Sequence, residues 1–295
     1  MIRVFYNPVL KRHARRAFTY VELLAMLAIF AILLAIFIPY TMNLREQARQ
    51  GRCQDNLRLI RDALLEYAKA NHNDYPRTTY EPAVNADGYS AYTGAFASNP
   101  FSIGVSPSDV TASLWLLVRE GYVTDLSIFV CPSTFRQPDH LRDAPATRRS
   151  NFRSPSNLSY SYANPFSGYA DYRLNSDILP AQFAILADRN PGASAASVAY
   201  NAPPLELARG NSLNHHREGQ NVLYADGSAE FRTTPYSGVG RATTSTAGDN
   251  IYTALAPKPL AGDQPYWAMN GYVGKQYGPS YQYDSYLVPT EDDGQ

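Results

Sequence analysis

Cysteine is scarce in this 295-residue chain, which holds only Cys53 and Cys131. That excludes a scaffold stapled by several disulfides and leaves room for a single bridge. Charge is sparse as well, at 18% of residues, and 26 Lys and Arg balance 26 Asp and Glu. A nucleic-acid binder held by a basic surface is therefore excluded, and no nucleic-acid partner is expected. The sequence has no Gly-rich phosphate loop, no HExxH helix and no G-x-S-x-G elbow, and its Ser, His and Asp residues show no triad-like spacing. An enzyme is not expected. What the chain does have is a hydrophobic fraction of 45%, which rules out wholesale disorder, and a length that allows one large or two ordinary domains. Tyrosine is abundant at 23 residues, beside 21 Pro and 18 Gly, which predicts many turns and an aromatic surface.

Acids are also missing from residues 1–17, which carry Arg3, Lys11, Arg12, Arg15 and Arg16. From Phe18 to Ile38 follow 21 residues in which Glu22 is the only charge. As a helix this run spans roughly 30 Å at ~1.5 Å per residue, enough to cross a hydrocarbon core. The basic flank is expected to stay in the cytoplasm, with everything after Pro39 on the other side. A secretory signal peptide would have an apolar region of about 7–15 residues ending in a small-residue cleavage site. Here the run is longer and ends in Ile38-Pro39-Tyr40, so a membrane anchor is the expectation. A carboxylate such as Glu22 is costly in an apolar helix, so it is either solvated at headgroup depth or partnered.

The segment Arg15-Arg16-Ala17-Phe18-Thr19-Tyr20-Val21-Glu22-Leu23-Leu24, followed by the apolar run and Pro39, resembles the N-terminus of type IV prepilins and type II secretion pseudopilins. In that family a basic leader is cut before a Phe, the new N-terminus is methylated, and a Glu stands fifth in the mature chain. With Phe18 first, Glu22 is fifth and Pro39 twenty-second, both where the family places them. Ala17 stands where Gly is usual, and Tyr20 where Leu is usual. The resemblance implies cleavage between Ala17 and Phe18 and methylation of Phe18 by a prepilin peptidase/methylase. It also implies assembly through Glu22 and Pro39, with Glu22 pairing to the terminal amine of a neighbouring subunit. A buried carboxylate without that partner would be strongly unfavourable, so the pair would select one axial register. The implied partners are other pilin-like subunits and a secretion or pilus assembly platform. The implied location is the inner membrane, single-pass, with the N-terminus cytoplasmic and the head extracytoplasmic, and a pilus or pseudopilus after assembly.

Beyond Pro39, Cys53, Leu57, Ile60, Leu64, Tyr67 and Ala68 recur at steps of three or four, which predicts an amphipathic helix to about Asn71. Pro39 and Gly51 are the expected kink points. Residues 77–105 show no period and read as a long surface loop. Ser106-Pro107-Ser108-Asp109 reads as an N-cap with Pro at the first helical position, opening a helix that Gly121 closes. Strand-like runs follow at 128–131, 158–163, 183–187 and 221–232. The expected fold is α+β and, by the resemblance, pilin-like: a long N-terminal helix, half transmembrane and half amphipathic, packed on an antiparallel sheet with long loops. The expected organisation is a leader at 1–17, a transmembrane and assembly helix at 18–39, and an amphipathic stalk at 40–75. An α+β head at 76–256 and a Tyr/Pro/Gly-rich arm at 257–295 complete it.

His216 and Asp226-Gly227 match the H-X9-D-G motif of a bacterial prepilin-like family. Cys53 before Asn56-Leu57, Phe129-Val130-Cys131-Pro132-Ser133 and Ile185-Leu186-Ala187-Asp188-Arg189 are similar to that family too. On residue types alone, Asp226-Gly227 reads as a two-residue hairpin turn. The competing reading places His215, His216, Glu218 and Asp226 around a metal such as zinc. A calcium site drawing on Asp171, Asp177, Asp188 and Asp249 is a third reading, though these show no fixed ligand spacing; otherwise no cofactor is expected. Cys53 and Cys131 both fall on the extracytoplasmic side, where a bridge is chemically permitted; two buried thiols are the alternative. The arm carries Tyr266, Trp267, Tyr272, Tyr277, Tyr281, Tyr283 and Tyr286, which read as an extended cover for the head or a neighbouring subunit. Glu291-Asp292-Asp293 reads as solvated.

Two functions remain. The first is a structural pilin-like or pseudopilin-like subunit. The alternative is a membrane-anchored binding module for a glycan, a metal or a secreted protein that does not polymerise. Cleavage after Ala17 would remove five basic residues and no acid, leaving 21 basic residues against 26 acidic ones and a formal −5.

Overall fold

The computed structural model describes residues 18–79, 89–97, 99, 101, 108–240, 248–254, 273 and 278–291. The leader, including Ala17, lies outside them, as do Tyr266, Trp267, Tyr272 and Tyr277 of the arm. Helix α1 runs from Tyr20 to Ala70, unbroken through Pro39 and Gly51. Two units divide within it, one extending to Arg45 and the other from Glu46 onward.

In the first unit, the apolar residues of α1 are exposed. Phe30 is 60% exposed and Ile36 is 66% exposed, and none of the apolar stretch is buried. This helix is long and apolar enough to cross a membrane. Its first turn is closed by a capping box. The Thr19 hydroxyl accepts from the Glu22 amide at 3.3 Å, and the Glu22 carboxylate accepts from the Thr19 amide and hydroxyl, both at 2.9 Å.

In the second unit the helical period decides what is covered. Cys53, Leu57, Ile60, Leu64, Tyr67 and Ala68 are all buried, with Ala63 beside them, while Arg49, Arg52 and Arg58 stay exposed. This stripe joins a single core that includes helix α2 (Val110–Arg119) and the sheet. The sheet has five strands, all antiparallel: β1 Tyr160–Ala163, β2 Ala184–Asp188, β3 Gln220–Tyr224, β4 Ala229–Arg232 and β7 Leu287–Val288, in the order β4-β3-β2-β1-β7. β5 (Tyr236–Gly240) and β6 (Gly248–Asn250) form a separate ribbon. β1, β2 and β3 are buried at every position, so they lack the alternation of a strand with one wet face. Only β4 alternates, with Glu230 and Arg232 outward. The class is α+β.

Several local expectations are corrected. The N-cap of α2 is Asp109, and Ser106 and Pro107 lie outside the described residues. Asp109 is fully buried, and its carboxylate accepts from the Ala112 amide at 2.8 Å, the Thr93 amide at 2.8 Å and Asn151 Nδ2 at 3.0 Å. Gly121, at φ +85°, does close the helix. Residues 128–131 are not a strand: Leu126–Phe129 form a 3-10 turn that Asp125 caps through the Ser127 amide at 2.9 Å. The segment around residue 90 is irregular but is not a surface loop, since Tyr89, Ala91 and Ala95 are buried.

The arm is partly built into the fold: β7 pairs with β1, and Tyr286 is fully buried with its hydroxyl 3.3 Å from that of Tyr89. Glu291 is not free in solvent, because it pairs with Arg136 at 2.6 Å. Asp292 and Asp293 lie outside the described residues.

Candidate functional site

The left-handed turn before β3 positions the most unusual side chain. His215, His216 and Arg217 have φ of 53°, 57° and 64°. L-residues in that region cost about 1–2 kcal/mol each, and a run of three persists only where the surroundings dictate it. Here Asn211 Nδ2 holds the Arg217 carbonyl at 3.2 Å, and Asn214 Nδ2 donates to Asp188 Oδ1 at 2.8 Å and to the Ser159 carbonyl at 3.0 Å. The turn directs the His215 ring fully into the interior and leaves His216 exposed.

Four side chains from four distant segments meet at that ring. Cys53 comes from the buried stripe of α1, Cys131 from the stretch after the 3-10 turn, Asp188 from the end of β2, and His215 from the left-handed turn. Their sulfur, oxygen and nitrogen atoms all lie within 4.8 Å of one another, and all four residues are buried. Cys131 Sγ is 3.4 Å from His215 Nε2, Asp188 Oδ2 is 3.5 Å from the same nitrogen, and Cys53 Sγ is 3.1 Å from Asp188 Oδ1. The cysteines are unbridged, buried thiols.

An outer layer fixes these groups. His215 Nδ1 is 2.6 Å from Glu46 Oε1, and Glu46 also receives the Ser133 hydroxyl and Arg49. Asp188 Oδ2 accepts from the Asn221 amide at 2.6 Å, and Asn221 Nδ2 lies 3.1 Å from His215 Nε2. Tyr160 places its hydroxyl 3.3 Å from Cys53 Sγ. Asn56 Nδ2, one turn along α1 from Cys53, donates to the Val130 carbonyl at 3.1 Å and so holds the approach to Cys131.

The electrostatics follow from this crowding. Burial opposes a charge on His215, but the Cys131 contact, the Asp188 carboxylate and Glu46 outweigh it and raise its pKa to about 9. Partial burial works against ionisation of Glu46, while hydrogen bonds from Ser133 and His215 carry its pKa below the usual value. Burial pushes the Cys53 thiol well up, and the neighbouring Cys131 and Asp188 add to it. Cys131 moves the other way, lowered first by its contact with Cys53 and then by His215.

The sequence-derived candidates divide. Of His215, His216, Glu218 and Asp226, only His215 enters the cluster; this corrects the proposed ligand set. His216 is exposed, with Nε2 3.8 Å from Glu46 Oε2, and Glu218 is exposed as well. Asp226 lies past the far end of β3, about 17 Å along a strand of that length. Its Oδ1 accepts from the Ser228 amide at 2.8 Å. The β3–β4 loop has three residues, not two, because Tyr224 pairs with Ser228 and Gly227 takes the left-handed position at φ +85°. The Gly227 carbonyl receives Arg61 Nη1 at 2.9 Å, which ties this turn to α1.

Among the described residues, Asp171, Asp177, Asp188 and Asp249 do not form a group with metal-ligand spacing. Asp188 serves the cysteine cluster, Asp177 receives Asn73, and Asp249 receives the Ser285 amide. What sequence reasoning missed is the convergence: the family-like segments around Cys53, Cys131 and Asp188 meet at His215. Compared with known proteins, the chain matches no family model, no curated protein and no solved structure.

Proposed function

We propose that this chain is a pilin-like structural subunit, held in a membrane by the first half of α1 and assembled through it. One observation carries the reading: an apolar helical stretch, exposed along its whole length within its own chain, leads directly into a helix half that is covered by a folded head. Such a surface needs lipid or its counterparts on other subunits, since burial of apolar area is what stabilises it. The residues flanking it, from Ala17-Phe18 to Glu22 and Pro39, have the spacing of a processed prepilin. In this reading a prepilin peptidase cuts before Phe18 and methylates it, and the apolar halves then exchange lipid for one another in a pilus or pseudopilus. The head faces away from the cytoplasm.

N-terminal mass spectrometry of the protein from its native membrane tests this. A chain beginning with methylated Phe18, together with cross-linked multimers, is the expected result. A full-length chain that remains monomeric in the membrane would overturn the assembly role in favour of an anchored binding module.

A further inference from the structure

We infer that Cys53, Cys131, Asp188 and His215 form a closed, four-ligand zinc site that fastens α1 to the sheet. Zinc bound tetrahedrally at about 2.0–2.3 Å requires its ligand atoms to lie about 3.3–3.8 Å apart. Two of the separations, 3.4 and 3.5 Å, fall in that range, the third is 3.1 Å, and every pair lies inside 4.8 Å, so shifts of a few tenths of an ångström to about one ångström would close the four atoms on an ion. Two thiolates, an imidazole and a carboxylate form a donor set suited to zinc and unlike the all-oxygen shell of calcium.

The outer layer has the arrangement a metal-bound histidine requires. With a proton on Nδ1 donated to Glu46 at 2.6 Å, Nε2 is the nitrogen left for a metal, and it faces Cys131 Sγ at 3.4 Å and Asp188 Oδ2 at 3.5 Å, with Cys53 Sγ inside 4.8 Å. Asn214 and the Asn221 amide hold the Asp188 oxygens in place. Zinc entry displaces to solvent the two thiol protons and any proton carried on His215 Nε2, and leaves no open coordination position, so the site is structural and not catalytic. Because its ligands come from α1, the stretch after the 3-10 turn, β2 and the turn before β3, one ion would cross-link the elements around which the second unit is built. This does not depend on whether the chain assembles into a filament.

The test uses the full chain, extracted in detergent under mild reduction and assayed for zinc by elemental mass spectrometry. About one zinc per chain is expected, and melting should move to higher temperature with added zinc and to lower temperature with chelator. Cobalt(II) in place of zinc should give the visible bands of a tetrahedral thiolate site. Cys53→Ser and Cys131→Ser should each abolish stoichiometric zinc. Glu46→Gln, which removes the charge behind His215 but no ligand, should weaken zinc about 10–100-fold. If a serine variant does not fold, the cobalt spectrum of the wild-type protein decides. Fully reduced thiols that take up neither zinc nor cobalt would overturn the site. So would a Cys53–Cys131 disulfide in protein from the native membrane, or serine variants that keep their zinc.

Discussion

The two halves of α1 share one helix and obey opposite rules. From Tyr20 to Leu44 the large apolar residues stand exposed all around the helix, whereas from Cys53 to Ala68 most of them occupy one stripe and are buried, Leu59 being the exposed exception. The first half carries its information in composition, the second in period. A helix apolar on every side is built for lipid or for a packed bundle, and a helix apolar on one side is built for its own domain.

The largest expected effect separates these rules. Leu57, fully buried, should cost about 2–5 kcal/mol when changed to alanine, through lost transfer energy and the cavity left behind. Leu27, 56% exposed, should leave the melting of the head unchanged after the same substitution and weaken only assembly. Denaturation of both variants as full chains in detergent reads the difference. Equal destabilisation would show that the first half also serves the head.

Next comes Glu22, where the capping box offers a second role for the residue assigned to assembly. Glu22→Ala should expose the amides of the first turn, about four residues, to hydrogen exchange and should block filament formation. Glu22→Gln discriminates, because the amide oxygen can still receive the Thr19 amide while the charge is gone. If the carboxylate pairs with an amine, the glutamine variant is capped but does not assemble. If capping is the whole role, it assembles normally, and that outcome would sink the ion-pair role.

The helix and its covered stripe are legible because steps of three and four repeat over many residues, β2 because residues 183–187 are a continuous apolar run, and β1 and β3 because aromatic and aliphatic residues dominate Tyr-Ser-Tyr-Ala and Val-Leu-Tyr. The 3-10 turn at Leu126–Phe129 was not, since a four-residue apolar run has no period to read. Nor was β7, only two residues long and recruited by pairing with β1. The cluster was half visible. The sequence offers Cys53 and Cys131 as bridge candidates and His215 as a ligand, yet beside sequence neighbours that the left-handed turn sends elsewhere. Asp188 stands out in the sequence only as part of a family-like segment and as one of the calcium candidates. Nothing local joins residues 53, 131, 188 and 215; tertiary packing does. The usable signals are that Cys131 and Asp188 each end an apolar run bound for the core and that Cys53 stands on the periodic stripe, while His215 flanks no such run.

The smallest expected effect lies where the second half of α1 gives way to a turn. Asp74 accepts from Arg173 Nε at 2.7 Å and Nη2 at 2.6 Å, and from Asn175 Nδ2 at 2.8 Å. Partial burial works against its ionisation, but the Arg173 and Asn175 hydrogen bonds and the guanidinium charge outweigh that and lower its pKa. A depressed carboxylate pKa stabilises the fold above the unfolded value of about 3.9 and loses that contribution as pH falls through the folded one. Both side chains are partly exposed, at 57% and 37%, so solvent screening keeps the pair below about 1 kcal/mol. Arg173→Gln should therefore melt slightly below the wild type at neutral pH, and the gap should close as the pH is taken below 4. High salt should narrow it too, which the buried contacts of Leu57 will not show. A gap that widened in acid would mean that Asp74 is held by something other than Arg173.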